Sequence, residues 1–211
     1  MISAREALDR LREGNRRFAA NTRSADPKTQ LRPAEVAAGQ EPFAIILGCS
    51  DSRVPAEIIF DQGLGDLFVI RVAGNIVAPS QIGSVEFAAT TFGTRLVVIL
   101  GHSQCGAIHA TLEQLQTPSE NRSRNLRSIV DFIRPSVEPL LDQGLGLDTD
   151  AIVERAVRAN VRSSSEQMRY GSVILEELER DAGLIIVGAE YSLDTGLVDF
   201  FDGIPESDQS Q

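Results

Sequence analysis

The sequence predicts an α/β fold: a mostly parallel central β-sheet flanked by helices, with an N-terminal helical extension packing on a partner subunit. Three observations predict it. Short apolar runs recur, "FAIIL" (43–47), "LFVIR" (67–71), "RLVVIL" (95–100) and "GLIIVGAEYS" (183–192), and each has the length of a buried strand. Segments with helix signals separate these runs, and strands alternating with helices imply parallel pairing with both faces covered. The chain has 211 residues, 42% of them hydrophobic, which is enough to bury a real core.

Each element has its own reason. Ser3 and Glu6 form an S-x-x-E capping box, and Leu8, Leu11 and Phe18 recur at near-helical spacing, so residues 3–20 are a helix with a thin apolar stripe. Such a stripe must be covered, by this domain or by a partner subunit. The polar stretch 21–30 is a loop, and Pro33 opens a short helix. "FAIIL" is the first strand, bounded by Pro42 and Gly48, and residues 55–60 follow as a short helix. "LFVIR" is the second strand. Residues 79–92 are a helix with Pro79 in its first turn, and "RLVVIL" is the third strand. A helix starts near Cys105. Residues 122–134 and 150–180 are helical, with Pro135 and Pro139 ending the first of these. "GLIIVGAEYS" is a further strand, "TGLVDFF" pairs beside it, and the tail "PESDQSQ" frays. The pentapeptide "DQGLG" occurs at 61–65 and again at 142–146, in turn contexts both times. The organisation expected is an N-terminal helical arm, 1–40, and an α/β domain, 41–211.

Charge and composition exclude several classes. A formal net charge of −10 argues against a nucleic-acid partner, because a phosphate backbone repels such a surface. No run approaches the roughly 18 apolar residues of a membrane span. The start, "MISAREALDRLREGNRRF", carries charges throughout and lacks the apolar region of a secretory signal, so a cytoplasmic setting is expected. In a reducing compartment, paired cysteines point to metal binding or catalysis before a disulfide.

The chain has two cysteines and two histidines: Cys49, Cys105, His102 and His109. "LGCSDSR" leaves the end of the first strand and "LGHSQCGA" leaves the end of the third. Ligands of open parallel sheets bind beyond the carboxyl ends of strands. If these two strands are neighbours, Cys49, His102 and Cys105 converge. Two thiolates and an imidazole suit Zn²⁺, and three protein ligands leave a fourth position open, as in catalytic sites. Cys105 at a helix entry gains from the helix dipole as a thiolate. The competing reading is a coincidental set of buried Cys and His. Two other motifs fail on spacing: Arg53 comes too soon after Cys49 for a Cys-x₅-Arg phosphatase loop, and neither "DQGLG" carries the lysine of a P-loop.

"CSDSR" with "GHSQCG" downstream resembles the β-class carbonic anhydrases. The likeness extends through "GDLFVIRVAGN" (65–75), "GSVEFA" (83–88) and "YSLDTG" (191–196), covering most of the chain from about residue 40. The resemblance implies a zinc-dependent carbonate dehydratase, a lyase that interconverts CO2 and bicarbonate through a zinc-bound hydroxide. It implies one Zn²⁺ per chain on Cys49, His102 and Cys105, and Asp51 with Arg53 as a catalytic pair. It also implies Asp51 as a fourth ligand in a closed state. Gly106 matches the position whose amide contacts a substrate oxygen, and Gln40 one that reaches a neighbouring subunit's pocket. Phe68, Ala73 and Phe87 match positions lining the apolar end that receives CO2. The chemistry agrees with the pair: a carboxylate held off the metal by a planar guanidinium can orient a nucleophile. There are departures: Phe87 stands where Tyr is common, and Ile46 where the bicarbonate-inhibited branch has Trp. Arg71 is therefore read as a structural ion-pair partner. A homodimer or dimer-based oligomer is implied. The alternatives are a CS2 or COS hydrolase on the same scaffold and a zinc-stabilised assembly protein without activity.

Overall fold

The computed structural model describes residues 2–22, 36–117, 123–142 and 148–205. In chain order its elements are α1 (Ala4–Ala19), β1 (Ala44–Gly48), α2 (Ala56–Ile59), β2 (Leu67–Arg71), a 3₁₀ turn (Ala73–Asn75), α3 (Pro79–Thr91) and β3 (Leu96–His102). Then follow α4 (Gly106–Gln116), α5 (Arg124–Asp142), α6 (Thr149–Tyr170), α7 (Val173–Ala182), β4 (Ile185–Tyr191) and β5 (Val198–Asp202). The strands form one sheet in the order β2-β1-β3-β4-β5, parallel except for β5, which runs antiparallel to β4. From β1 the chain turns first to one side, into β2, and then to the other, into β3. A crevice therefore opens beyond the carboxyl ends of β1 and β3, where ligands of such sheets bind.

Alternation along the strands builds two apolar layers. Ala44, Ile46, Val98, Leu100 and Val187 face one side, where Leu8 and Leu11 of α1 and Ile59 of α2 cover them. Ile45, Leu47, Val97, Ile99 and Ile186 face the other, against Val85 of α3, Val161 and Met168 of α6 and Leu175 of α7. A third cluster lies at the carboxyl end of the sheet. There Ile108, Leu112, Ile133, Val137, Val153 and Val157 pack with Cys49 and Cys105.

Helix α1 starts as its capping box predicts: the Glu6 amide donates to Ser3 Oγ at 3.2 Å, and the Ser3 amide donates to Glu6 Oε2 at 2.8 Å. The stripe expected to need a partner subunit is covered by the chain's own sheet, with Leu8 and Leu11 at most 1% exposed. Gly14 makes this approach possible, since a Cβ there would stand 1.8 Å from the Phe60 carbonyl oxygen. Asn15 beside it is buried and donates through Nδ2 to the carbonyls of Ile59, at 3.3 Å, and Gly196, at 2.9 Å. Its Oδ1 accepts from the Val198 amide at 2.8 Å. One side chain thus ties α1 to α2 and to the start of β5.

Three boundaries differ from the expectation. Helix α5 runs through Pro135 and Pro139 instead of ending before them. Both prolines lie on its exposed face, while Ile133 and Val137 are buried on the other, so packing holds the helix across the missing hydrogen bonds. The helical stretch expected over 150–180 is two helices, because Ser172 caps a new one by accepting from the Leu175 amide at 3.2 Å. Strand β3 continues past Leu100 to His102, held by pairing of His102 with Tyr191 of β4. The helix expected at Pro33, the second "DQGLG" from 143 onward and the tail after Pro205 lie outside the described residues.

Replacing Asn15 by Ala leaves two carbonyls and an amide without their partner in the interior. Each such group costs about 1–3 kcal/mol, so Asn15→Ala is expected to lower the unfolding free energy by at least about 1 kcal/mol, read as a lower urea midpoint at unchanged slope.

Candidate metal centre

Pairing of β1 with β3 sets Gly48 opposite Leu100. Cys49 is the first residue past β1, His102 is the last of β3, and Cys105 is the N-cap of α4. The tight turn between β3 and α4 needs Gln104 in the left-handed region, at φ 56°. The two sulfurs and a ring nitrogen of His102 all lie within 4.8 Å of one another, and all three residues are buried. Metal–sulfur bonds of about 2.3 Å at a tetrahedral angle put sulfurs roughly 3.8 Å apart, a spacing compatible with a cage of this size.

His102 decides the fit. Its Nδ1 lies 2.9 Å from the Ser103 carbonyl oxygen, a bond that places the proton on Nδ1 and leaves Nε2 a bare acceptor. Nε2 is fully buried without a hydrogen-bond partner among the described residues. A buried, unpaired imidazole nitrogen facing two sulfurs is the donor set of a soft-to-borderline metal ion. The carbonyl on the far nitrogen is the usual orienting contact of a ligating histidine.

Without an ion the three groups share protons unequally. The Cys49 thiol is held down to about 4, first by a hydrogen bond from Cys105, against burial, and then by His102 and the Gly74 amide. The same bond with Cys49, together with burial, pushes the Cys105 thiol far above its ordinary range. Burial acts to lower His102, but the adjoining Cys49 sulfur and its charge carry it upward.

Asp51 and Arg53 stand beside this cage. Arg53 Nε donates to Asp51 Oδ1 at 3.0 Å and Nη2 to Oδ2 at 2.8 Å, a planar two-point pair, and the Arg53 amide adds a third bond to Oδ1 at 2.9 Å. The Arg53 hydrogen bonds, first of all the side chain's, hold the Asp51 carboxyl well below the usual carboxylate range. Asp51 Oδ2 lies 3.9 Å from His102 Nε2, so the carboxylate borders the donor group. The loop is braced from behind by Arg71. Its Nε donates to the Cys49 carbonyl at 3.2 Å and its Nη2 to the Asp51 carbonyl at 2.6 Å. The ion pair expected of Arg71 is replaced by these backbone bonds, because β2 sets Arg71 directly opposite Gly48.

The other candidates divide into near and far. Gly106, exposed, is the first residue of α4, and its N–H has no partner within the helix. Ala73 opens the 3₁₀ turn whose Gly74 amide donates to Cys49 Sγ at 3.4 Å. Gln40, Phe68 and Phe87 are not brought to the cage within one chain. Gln40 precedes β1 and is exposed, so at least the length of β1, about 15 Å, separates it from Cys49. Phe68 is opposite Ile45, about 10 Å short of the carboxyl end of the sheet. It joins Phe87 and Phe92 in an aromatic group with ring centroids 5.6 to 6.2 Å apart, and Phe87 is 52% exposed. Sequence reasoning missed Gly74 and Ser103 as supports, and gave Arg71 a structural role with a different partner.

Comparison with known proteins agrees with the geometry. The family model described as carbonic anhydrase matches residues 44–198. Carbonic anhydrase 2 of Mycobacterium tuberculosis is 41% identical over 187 residues, covering 88% of this chain and 87% of that protein. Carbonic anhydrase of Mycolicibacterium smegmatis is 38% identical, covering 90% and 89%. Among solved structures, the β-carbonic anhydrase CafA of Aspergillus fumigatus superposes with a TM-score of 0.74 at 26% identity, covering 92% of this chain and 90% of that one.

A raised Cys105 thiol carries its proton at neutral pH, and an ion must displace it. Titration of Zn²⁺ into metal-free protein, followed by calorimetry in buffers of different ionisation enthalpy, is expected to release about one proton per chain or more. Affinity is expected to fall as pH is lowered from 8 to 6, since protons then compete better for sulfur and imidazole.

Proposed function

The chain belongs to the β-class carbonic anhydrases, enzymes that interconvert CO2 and bicarbonate, and we propose that Cys49, His102 and Cys105 hold the one Zn²⁺ each chain requires. The observation that carries this reading is the convergence of two sulfurs and a His102 ring nitrogen within 4.8 Å, with Nε2 buried and unpaired and the Asp51–Arg53 pair alongside. Bound zinc supplies a Lewis acid that makes a water nucleophilic near neutral pH.

The protein's residues do the rest. Asp51 accepts a hydrogen bond from the attacking water and turns its lone pair towards the substrate carbon. Its depressed pKa keeps it ionised at neutral pH, so it orients the nucleophile and does not store the proton, which passes on to solvent. Arg53 holds the carboxylate in plane by both oxygens. Were that pair to open, Asp51 is the donor poised to fill the fourth ligand position. The Gly106 amide steadies a substrate oxygen at the positive end of α4, and Ala73 lines the apolar side of the pocket.

Gln40, Phe68 and Phe87 act from a second subunit in this reading. They are far from their own chain's cage, and Gln40 and Phe87 are exposed and available to a partner's. The working unit is then a homodimer, alone or within a larger assembly, in which each subunit completes the other's pocket. Two free cysteines and a net charge of −10 suit a reducing, cytoplasmic compartment. Among the described residues no helix is long and apolar enough to cross a membrane.

Stopped-flow CO2 hydration on protein of assayed metal content tests the assignment. Asp51→Ala is expected to keep one zinc per chain and its thermal transition while losing about 10²–10⁴-fold in kcat/KM. Loss of less than tenfold would remove Asp51 from the mechanism. Shared pockets predict complementation: Cys49→Ser and Gln40→Ala, each inactive alone, are expected to regain roughly a quarter of wild-type activity after mixing and subunit exchange, because half of the dimers then contain one intact site. No recovery in exchanged dimers would place Gln40 outside the partner's pocket.

A further inference from the structure

We infer that Asn160 of α6 is a positioning residue for the metal centre, fixing the Gly74 peptide groups so that the Gly74 amide stays aimed at the Cys49 sulfur. The inference rests on Cys49 being a metal ligand, as proposed above. Asn160 is 2% exposed, among Ala156, Val157, Val161 and Ser164 on the buried face of α6. Its Nδ2 donates to the Gly74 carbonyl at 2.8 Å, and the Gly74 amide in turn donates to Cys49 Sγ at 3.4 Å. An apolar residue of similar size would fill this position without the cost of burying an amide, so the hydrogen bond is what the asparagine adds.

Gly74 needs such a restraint. It sits at φ 70° and ψ 19°, in the left-handed region, and Asn75 after it is also at positive φ, 43°. Glycine visits either hand of φ with little preference, and a three-residue 3₁₀ turn has few bonds of its own to select one. A side chain cannot do the selecting, because a Cβ on Gly74 would stand 2.6 Å from Ile133 Cδ1 and 3.1 Å from Ala107 Cβ. The restraint therefore comes from outside the turn. Asn160 grips the carbonyl on one side of the Gly74 Cα, and the amide on the other side is left pointing at sulfur.

An N–H donated to a thiolate draws charge from it. Cys49 then becomes a weaker electron donor to an ion and the ion stays more electrophilic, a control exerted on the ligand from outside the coordination sphere. This matters most where two thiolates already cancel the charge of a divalent ion.

Two metal probes test it. In wild-type protein loaded with ¹¹³Cd²⁺, the Gly74 amide proton is expected to show scalar coupling to cadmium through the sulfur, alongside coupling from the β-protons of Cys49 and Cys105. In Asn160→Leu and Asn160→Asp the cysteine couplings are expected to remain while the Gly74 coupling is lost. With Co²⁺ in the same variants, the sulfur-to-metal charge-transfer band is expected to move to longer wavelength, as a sulfur relieved of its N–H donor gives up charge more readily. Wild-type protein with cysteine couplings but none from Gly74 overturns the inference while leaving the ligand assignment intact, and needs no variant to fold. Variants that keep the Gly74 coupling and an unmoved band, with only a lower melting temperature, overturn it as well and leave Asn160 a packing residue. Wild-type protein without any Cys49–cadmium coupling overturns the ligand assignment itself, and this inference with it.

Discussion

The metal centre depends on one pairing: β1 against β3, in parallel, at the point where the strand order reverses. Gly48 opposite Leu100 puts Cys49 at the same level of the sheet as the last residues of β3, so that a cysteine and a histidine far apart in sequence meet. The same reversal sends β2 to the far side of β1, which keeps the crevice beyond Gly48 open and sets Arg71 behind the loop that carries Asp51. A one-residue slip in that register would turn each alternating strand residue to the opposite layer, and both apolar faces forbid it. Packing of the core and geometry of the site are therefore one constraint.

Around that frame, electrostatics is local. The chain is acidic overall, yet cationic Arg53 and Arg71 bracket the loop between Cys49 and Arg53, and the N-terminus of α4 faces the same crevice. Each places donors where acceptor groups gather: Arg53 on the Asp51 carboxylate, Arg71 on two carbonyls, and the start of the helix at Cys105. The arrangement keeps Asp51 ionised and in plane while leaving the imidazole Nε2 bare. A site built this way has its charges set by hydrogen bonds of fixed direction, which salt and distance weaken far less than they weaken a diffuse surface field.

Buried amides do the long-range joining. Asn15 links α1 to α2 and β5, and Asn160 links α6 to the turn beside Cys49. Each replaces apolar contact with a bond of fixed length and direction, which is costly unless fully made and specific once it is. Ser103 belongs with them: its carbonyl sets the tautomer of His102 and its hydroxyl accepts from the Leu193 amide at 2.9 Å, tying the metal turn to the segment after β4.

The sequence by itself determined the strands, the sheet class, the capped start of α1 and the candidate metal ligands Cys49, His102 and Cys105. Those follow from local pattern: apolar runs of strand length, an S-x-x-E box, and the few residues of the chain able to bind a soft ion. Tertiary structure decided what depends on neighbours far away in sequence. Pro135 and Pro139 stay inside α5 because Ile133 and Val137 are buried behind them, and the sequence cannot show that face. The α1 stripe turns inward because Gly14 lets the helix reach the Phe60 carbonyl, a contact invisible to periodicity. Gln40, Phe68 and Phe87 are implied by the same resemblance as the other site residues yet stand away from the cage. Sequence motifs carry residue type and spacing along the chain, whereas distance across a sheet is fixed by strand register alone.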